Sequence, residues 1–374
     1  MKILQLGKAY PPQNLGGVEI VIQLITEGLH DREVYCDVLG VNDSSQSIVE
    51  YRKFGVIYRE ALIKKIFSTL LSIKLISRLH KIKNEYDIIH IHHPDPMSAL
   101  ALWITKPKCS VVLHWHSDIL RQKKLLIFYR SIQTWLLNRS NVIIATSPNY
   151  AQNSQDLARF INKVKVVPIG VDKSAMTSDK NLVNKIREEY RGKDIILAIG
   201  RMSYYKGYEY LIKSCKLIRD SAVIIIIGKG ELEQCLRELA EKNLCVDKIK
   251  FLGSVDDIIK YSYLEASDIF VLSSIFKTEA YAIVQVEAMA AGKPIISTEI
   301  PGSGVQWVNQ NEVSGLTVPI KDSSTLAEVI NKLIDDKAYR NKLSKGALKR
   351  YYSEFTLGKM IDTTIEIYRS LISN

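Results

Sequence analysis

The chain has 374 residues, 47% of them hydrophobic, which suits two domains with sizeable cores. Its five cysteines (Cys36, Cys109, Cys215, Cys235, Cys245) form no C-x-x-C pair, which argues against a disulfide scaffold or a cysteine metal site and for a reducing cytoplasm. No apolar run is long enough for a secretory leader or a membrane span, and the net charge of +11 points to an acidic partner surface.

That charge is uneven. Residues 1–173 hold 23 basic against 14 acidic side chains, and residues 174–374 hold 28 against 26. The excess belongs to the first half, where lipid, nucleic acid or phosphate is the natural partner.

Residues 2–6 (KILQL) predict a buried strand. The strand runs into Gly16-Gly17 and an amphipathic helix over 18–30, an order that suits phosphate. The G-x-G-x-x-G spacing of a dinucleotide fingerprint is missing. Residues 35–41 predict the second strand. Residues 58–84 predict one long helix with seven Lys or Arg against a single acid, Glu60. Such a helix lies on a membrane surface or packs on a core with a basic solvent face; the basic first half favours the membrane.

Two strands then end in histidines, 86–94 with His90, His92 and His93, and 110–116 with His114 and His116. Alternation puts His90 and His92 on one face of their strand, and likewise His114 and His116. No carboxylate accompanies them at metal-site spacing, so a polar wall at the carboxyl ends of a parallel sheet is expected rather than a metal centre. His116, followed by Ser117-Asp118, is the sharpest candidate. Strands follow at 141–146 and 164–167, and Pro168 and Gly170 mark a domain junction.

The pattern restarts at a strand over 194–200, whose following loop carries Arg201 and Lys206, two cations suited to a pyrophosphate. A buried strand over 222–227 ends in Gly228-Lys229-Gly230, and residues 250–253 predict another. Next comes KTEAYAIVQVEAMAAGKPII, residues 277–296. Glu279 is expected on the loop before a helix and Glu287 about two turns along it. Small residues at that helix start would let a phosphate approach the backbone, and the two carboxylates suit a sugar and a diol. Strand–helix alternation through both halves predicts two parallel-sheet α/β domains.

With these motifs in hand, the chain resembles the family-four retaining glycosyltransferases, which have the GT-B fold: two Rossmann-like parallel-sheet domains facing across a cleft. The motifs are GGVE at 16–19, HSD at 116–118, PIGVD at 168–172, GRMSYYKG at 200–207, GKG at 228–230 and the E-x7-E stretch at 279–287. They run in the family's order over nearly the whole chain.

The resemblance implies an acceptor-side domain over 1–171, a nucleotide-sugar-binding domain over 172–354, and a last helix, 355–374, crossing back to the first domain. By the same likeness Glu279 contacts the transferred sugar, and the backbone of Ala280, Tyr281, Ala282, Ile283 and Val284 faces sugar and phosphate. Glu287 takes the ribose diol, while Arg201 and Lys206 hold the pyrophosphate and stabilise the leaving group. Gly16 and Gly17 approach the phosphates, His116 lies near the reacting carbon, and Gly228 and Leu252 complete the donor site. Transfer is then by front-face attack, with no cofactor and no metal, since no Asp-x-Asp motif occurs.

Two alanines, Ala280 and Ala282, stand where the family pattern EGFGLV has glycines. The strings HHPDP, HWHSDI and ATSPNY resemble bacterial surface-polysaccharide enzymes, including O-antigen mannosyltransferases. Such a likeness implies GDP-mannose first or a UDP-hexose second as donor, a polyprenyl-diphosphate-linked acceptor, and a place on the inner face of the cytoplasmic membrane. Three rivals differ in class: an NAD-dependent oxidoreductase, disfavoured by the missing fingerprint; a nucleic-acid-binding protein, disfavoured by the near-neutral second half; and a catalytically inactive sugar-nucleotide-binding relative.

Overall fold

The computed structural model describes residues 1–13, 16–66, 69–119 and 123–372. The chain divides into two compact units, Met1–Ile169 with Leu357–Asn374, and Gly170–Thr356. The C-terminal helix therefore belongs with the first unit; its expected last residues, Ser373 and Asn374, lie outside the described residues.

Among the described residues the first unit carries the strands β1 (Lys2–Leu6), β2 (Tyr35–Val41), β3 (Ile48–Arg52), β4 (Gly55–Glu60), β5 (Lys64–Ile66), β6 (Thr69–Leu71), β7 (Ile88–His93), β8 (Ser110–Trp115), β9 (Val142–Ala145) and β10 (Val164–Val166). Its helices are α1 (Gly17–His30), α2 (Ile73–Ile82), α3 (Pro96–Thr105), α4 (Lys123–Arg139) and α5 (Pro148–Asn153). Eight strands form one sheet in the order β10-β9-β8-β7-β1-β2-β4-β3. Every pair in it is parallel except β3–β4.

The expected helix over 58–84 is not formed. Tyr58–Glu60 end β4, which pairs with β2; residues 64–66 and 69–71 pair antiparallel; Ile73–Ile82 are α-helical and run into a 3-10 turn, Lys83–Glu85. The helix begins where Ser72 caps it, its Oγ accepting from Leu75 N at 3.1 Å, a contact worth about 1 kcal/mol. Ahead of that cap the β-branched residues Val56, Ile57, Ile63 and Ile66 prefer extended backbone. Phe67 and Ser68 lie outside the described residues.

The second unit carries β11 (Asp194–Ile199), β12 (Ala222–Ile227), β13 (Ile249–Gly253), β14 (Ile269–Leu272), β15 (Ile295–Glu299) and β16 (Gly315–Pro319) in one parallel sheet, ordered β13-β12-β11-β14-β15-β16. Around it lie α6 (Lys180–Glu189), α7 (Tyr208–Ser214), α8 (Glu233–Lys242), α9 (Asp257–Ala266), α10 (Ile283–Ala290), α11 (Val305–Val308), α12 (Ser323–Asp335) and α13 (Lys337–Glu354). Strand β12, AVIIII, is buried along its whole length, as a central parallel strand covered on both faces must be. Each of its isoleucines contributes about 1.5–3 kcal/mol of burial. The chain leaves this unit where Val171 N donates to Phe355 O at 3.0 Å; α14 (Leu357–Ile372) then returns to the first unit and packs on α1.

Two sequence reversals position everything that follows. In the first sheet the order turns back between β1 and β7, and in the second between β11 and β14. Parallel sheets bind ligands beyond the carboxyl ends of strands at such reversals, because the connecting loops splay to opposite faces there.

Candidate active site

Strand β11 is followed by Gly200, Arg201 and a 3-10 turn, Tyr204–Lys206. Lys206 folds back over Gly200, where a Cβ would stand 3.0 Å from Lys206 Cε. At the end of the adjacent strand, a Cβ on Gly228 would lie 2.0 Å from the Gly200 carbonyl oxygen. Only glycine at 228 lets the two strand ends approach so closely.

Lys206 Nζ meets Glu279 Oε2 at 2.5 Å, each side chain 10% exposed. Ser274, just past β14, donates its hydroxyl to the same oxygen at 2.9 Å. Burial pulls the Lys206 pKa down, but the Glu279 charge more than offsets it, so the ammonium is held above its ordinary range. Arg201 is exposed, and its like charge acts on Lys206 in the opposite sense. The reversal thus gathers two cations and one carboxylate. Ser203 Oγ is buried beside them without a partner among the described residues.

Glu279 is followed by the buried residues Ala280, Tyr281 and Ala282, and half-buried Ile283 and Val284 open α10. Ala282 has φ 62 and ψ 79. The left-handed conformation that a glycine would adopt freely is imposed here on an alanine, at about 1–2 kcal/mol. Ala280 needs no such backbone; its carbonyl accepts from Gly304 N at 2.9 Å. Ala282→Gly is therefore expected to raise stability by up to about 1 kcal/mol, the relieved strain exceeding the added freedom of the unfolded chain. Urea unfolding checks this, and a loss of about 1 kcal/mol or more would contradict it.

Glu287 lies in the second turn of α10, 14% exposed at its side chain. It accepts from Lys260 Nζ at 3.2 Å and from Tyr261 Oη at 3.1 Å, both on α9. Nothing in the sequence singled out either partner, both being ordinary polar residues of an amphipathic helix. Burial lowers Lys260 and the Glu287 charge raises it further, leaving it above the usual range. Burial first and Glu287 second push the Tyr261 hydroxyl up to about 12.

Leu252, half-buried on β13, lines a cavity of about 400 Å³ with Tyr190, Arg237, Phe251 and Tyr263. None of Arg201, Lys206, Glu279 and Glu287 lines that cavity.

In the first unit, Gly16 caps α1 with extended backbone and Gly17 is its first residue. A Cβ at Gly16 would stand 2.7 Å from Glu19 Oε2. Both glycines follow β1 at the first sheet's reversal. The histidines do not form the expected polar wall. His90, His92, His93 and His114 are at most 1% exposed, and only His116, at 8%, keeps some access. Parallel pairing of β7 with β8 sets His92 beside His114. On that face His114 stacks on His116 with centroids 4.1 Å apart, while His92 lies edge to edge with His116, its ring tilted by only 14° and the centroids 5.2 Å apart. His93 lies instead on the Trp115 ring, 3.8 Å between centroids. Burial pushes His90, His93 and His116 down to about 3, and His92 and His114 well below their usual value. Asp118 accepts from Trp115 Nε1 at 2.9 Å and from Ser154 Oγ at 2.6 Å, a structural role.

Across the known proteins, residues 179–350 match the model for glycosyl transferases group 1 and residues 15–175 that for glycosyltransferase family 4. The O-antigen chain mannosyltransferase C of Escherichia coli is 32% identical over 375 aligned positions, covering 100% of each chain. The chain belongs to the nucleotide-sugar-dependent glycosyltransferases of the GT-B fold. The D-rhamnosyltransferase WbpZ of Pseudomonas aeruginosa is 29% identical to this glycosyltransferase, covering 95% of this chain and 92% of its own. Among solved structures, the sucrose-phosphate synthase of Thermosynechococcus elongatus superposes with TM-score 0.82 at 18% identity over 100% of both chains. The Anabaena protein HepE in complex with UDP-glucose gives 0.79 at 21%, over 99% of this chain and 100% of its own.

Proposed function

We propose that this glycosyltransferase is a retaining, metal-independent family-four hexosyltransferase, with GDP-mannose the first donor and a UDP-hexose the second. The observation that carries the reading is the charge constellation at the β11–β14 reversal: Lys206 and Arg201 beside Glu279, with Glu287 in the following helix. Cleaving a sugar–diphosphate bond leaves negative charge on the departing phosphate. Arg201, Lys206 and the first turn of α10 stabilise that charge in advance, the work a divalent metal does elsewhere. Glu279 binds the sugar hydroxyls and Glu287 the ribose diol. The same reading assigns His116 and the Gly16-Gly17 turn to donor contacts, and the departing phosphate helps take the acceptor proton in a front-face attack. The assignments of Gly228, Leu252 and the 280–284 backbone to the donor belong to the same reading.

A panel of GDP- and UDP-sugars tests it. GDP should raise the melting temperature by mass action, and GDP-mannose should release nucleotide with an acceptor present. A protein neither stabilised by any nucleoside diphosphate nor releasing one would be the inactive relative instead.

The acceptor in this reading is a polyprenyl-diphosphate-linked glycan of O-antigen or similar surface-polysaccharide assembly, met at the inner face of the cytoplasmic membrane. The similarity to the Escherichia coli and Pseudomonas aeruginosa proteins supports this. No helix among the described residues is long and apolar enough to cross a membrane. Docking falls to the β5–β6 hairpin and the start of α2, where Ile63, Ile66 and Ile73 are exposed among the exposed Lys64, Lys65 and Lys74. Each lysine near an anionic surface contributes about 1 kcal/mol, so changing all three to glutamine should weaken binding to anionic vesicles roughly a hundredfold. Equal co-sedimentation of the variant and the native chain would contradict docking here.

A further inference from the structure

A buried hydrogen-bond chain links the C-terminal helix to His116. Gln5 Nε2 donates to Tyr368 Oη at 3.3 Å, and Gln5 Oε1 faces His92 Nε2 at 2.7 Å. His92 Nδ1 faces His116 Nε2 at 2.9 Å, and Tyr368 Oη faces His90 Nδ1 at 2.5 Å. Gln5, His92, His90 and Tyr368 are at most 1% exposed, so no solvent substitutes for a missing partner.

The chain admits one direction for this amide orientation. Gln5 Oε1 only accepts, so His92 donates from Nε2. His92 is neutral, so its Nδ1 is bare and accepts. His116 Nε2 must then carry the proton that occupies it. At the other end Tyr368 receives from Gln5 and gives its own hydrogen to His90. His116 is left with its unused lone pair on Nδ1. Turning the Gln5 amide over would reverse every bond and put the His116 proton on Nδ1.

We propose that Tyr368, Gln5 and His92 are positioning residues that hold His116 as the Nε2–H tautomer, so that Nδ1 is presented as an acceptor to a sugar hydroxyl. The inference rests on the reading that His116 touches the donor sugar. A neutral imidazole has two tautomers of similar energy, and the bond made by one nitrogen selects what the other offers. Stacking of His114 on His116 fixes the ring plane while the chain fixes the proton. Strand β1 supplies Gln5, which pairs directly with His90 of β7; α14 supplies Tyr368 from 363 residues away.

The same histidines invite a metal reading, since ring nitrogens of His90, His92 and His114 lie within 4.8 Å of one another. The His90–His92 and His92–His114 rings are stacked with interplanar angles of 8° and 23°. Stacked rings aim their lone pairs side by side, whereas a tetrahedral ion needs them converging at about 2 Å, and both His92 nitrogens are already engaged.

The test is long-range ¹H–¹⁵N correlation of the imidazoles in the full-length protein. Native His92 and His116 should both appear as pure Nε2–H tautomers, and Tyr368→Phe, which keeps the ring and loses only the hydroxyl, should turn His116 into a tautomer mixture. A native His116 protonated at Nδ1, an unchanged spectrum in Tyr368→Phe, or resonances of His90, His92 and His114 that shift together with stoichiometric zinc would each overturn the proposal. These spectra need no substrate, so they stand whether or not the donor assignment does. Kinetics supply the second arm. Gln5→Leu and Tyr368→Phe should each lower kcat about tenfold or more with donor KM unchanged, and neither should cost anything further in a His116→Ala background. An equal loss in that background would make the chain merely structural and overturn the proposal.

Discussion

Replacing Lys206 with alanine is expected to lower kcat by about 10²- to 10³-fold, the cost of removing one preorganised charge from a developing anion. Removing that charge also leaves Glu279 nearly buried without its counter-ion, since the Lys206 ammonium and the Ser274 hydroxyl both bind Glu279 Oε2. Breaking such a pair from one side destabilises by about 3–5 kcal/mol, because a charge is left uncompensated. The two effects separate in a second variant. Lys206→Met combined with Glu279→Gln removes both charges at similar volume and should recover most of the stability while transfer stays lost. Steady-state turnover and urea unfolding of the single and double variants check this. Recovered turnover in the double variant would mean that the pair is structural.

Acid is expected to destabilise the first unit steeply between about pH 6.5 and pH 5. His90, His92, His93, His114 and His116 are buried and neutral, with pKa values depressed to about 3 for His90, His93 and His116 and further in direction for the others. Above the unfolded value of about 6.5 both states are neutral at these rings and stability does not depend on them. Below it the unfolded chain takes up protons that the folded chain refuses, so stability falls as pH falls, until the folded pKa is reached. One pH unit into that window costs up to about 1.4 kcal/mol per histidine, a large share of the roughly 5–15 kcal/mol that holds a domain together. The Asp118 charge opposes the shift at His93 but does not reverse it. Denaturant unfolding followed by tryptophan fluorescence from pH 7 to pH 5 measures the effect, Trp115 being buried against His93. A flat stability profile over that range would contradict buried, neutral histidines.

Much of the fold was legible because its signals are local. Strand–helix alternation, the glycines at strand ends and the small residues before α10 each follow from a few neighbouring side chains. Strand pairing is not local. Alternation put His90 with His92 and His114 with His116, yet their merging into one buried stack depends on β7 lying beside β8. The polar Gln5 inside the apolar KILQL was a visible oddity, but its partner Tyr368 is 363 residues distant. Lys260 and Tyr261 were likewise hidden as ordinary polar residues of α9 until packing brought them to Glu287. Residues 58–84 differ for another reason: their basic and apolar composition suits one helix, but Ser72 caps a helix that starts only at Ile73, and extended segments precede it. Ala282 shows the opposite case, where tertiary structure imposes the glycine-like backbone against local preference.

The central proposal is that the second unit holds a nucleotide-sugar between Lys206, Glu279 and Glu287. Calorimetric titration of GDP and UDP into the native chain, Glu287→Ala and Glu279→Ala tests this most directly. The native chain should bind one of the two nucleotides. Glu287→Ala should lose about tenfold or more in affinity with the ribose contact, and Glu279→Ala should bind nearly as the native chain does while failing in transfer. Native-like binding by Glu287→Ala, or equal losses in both variants, would contradict the division of roles between the two carboxylates.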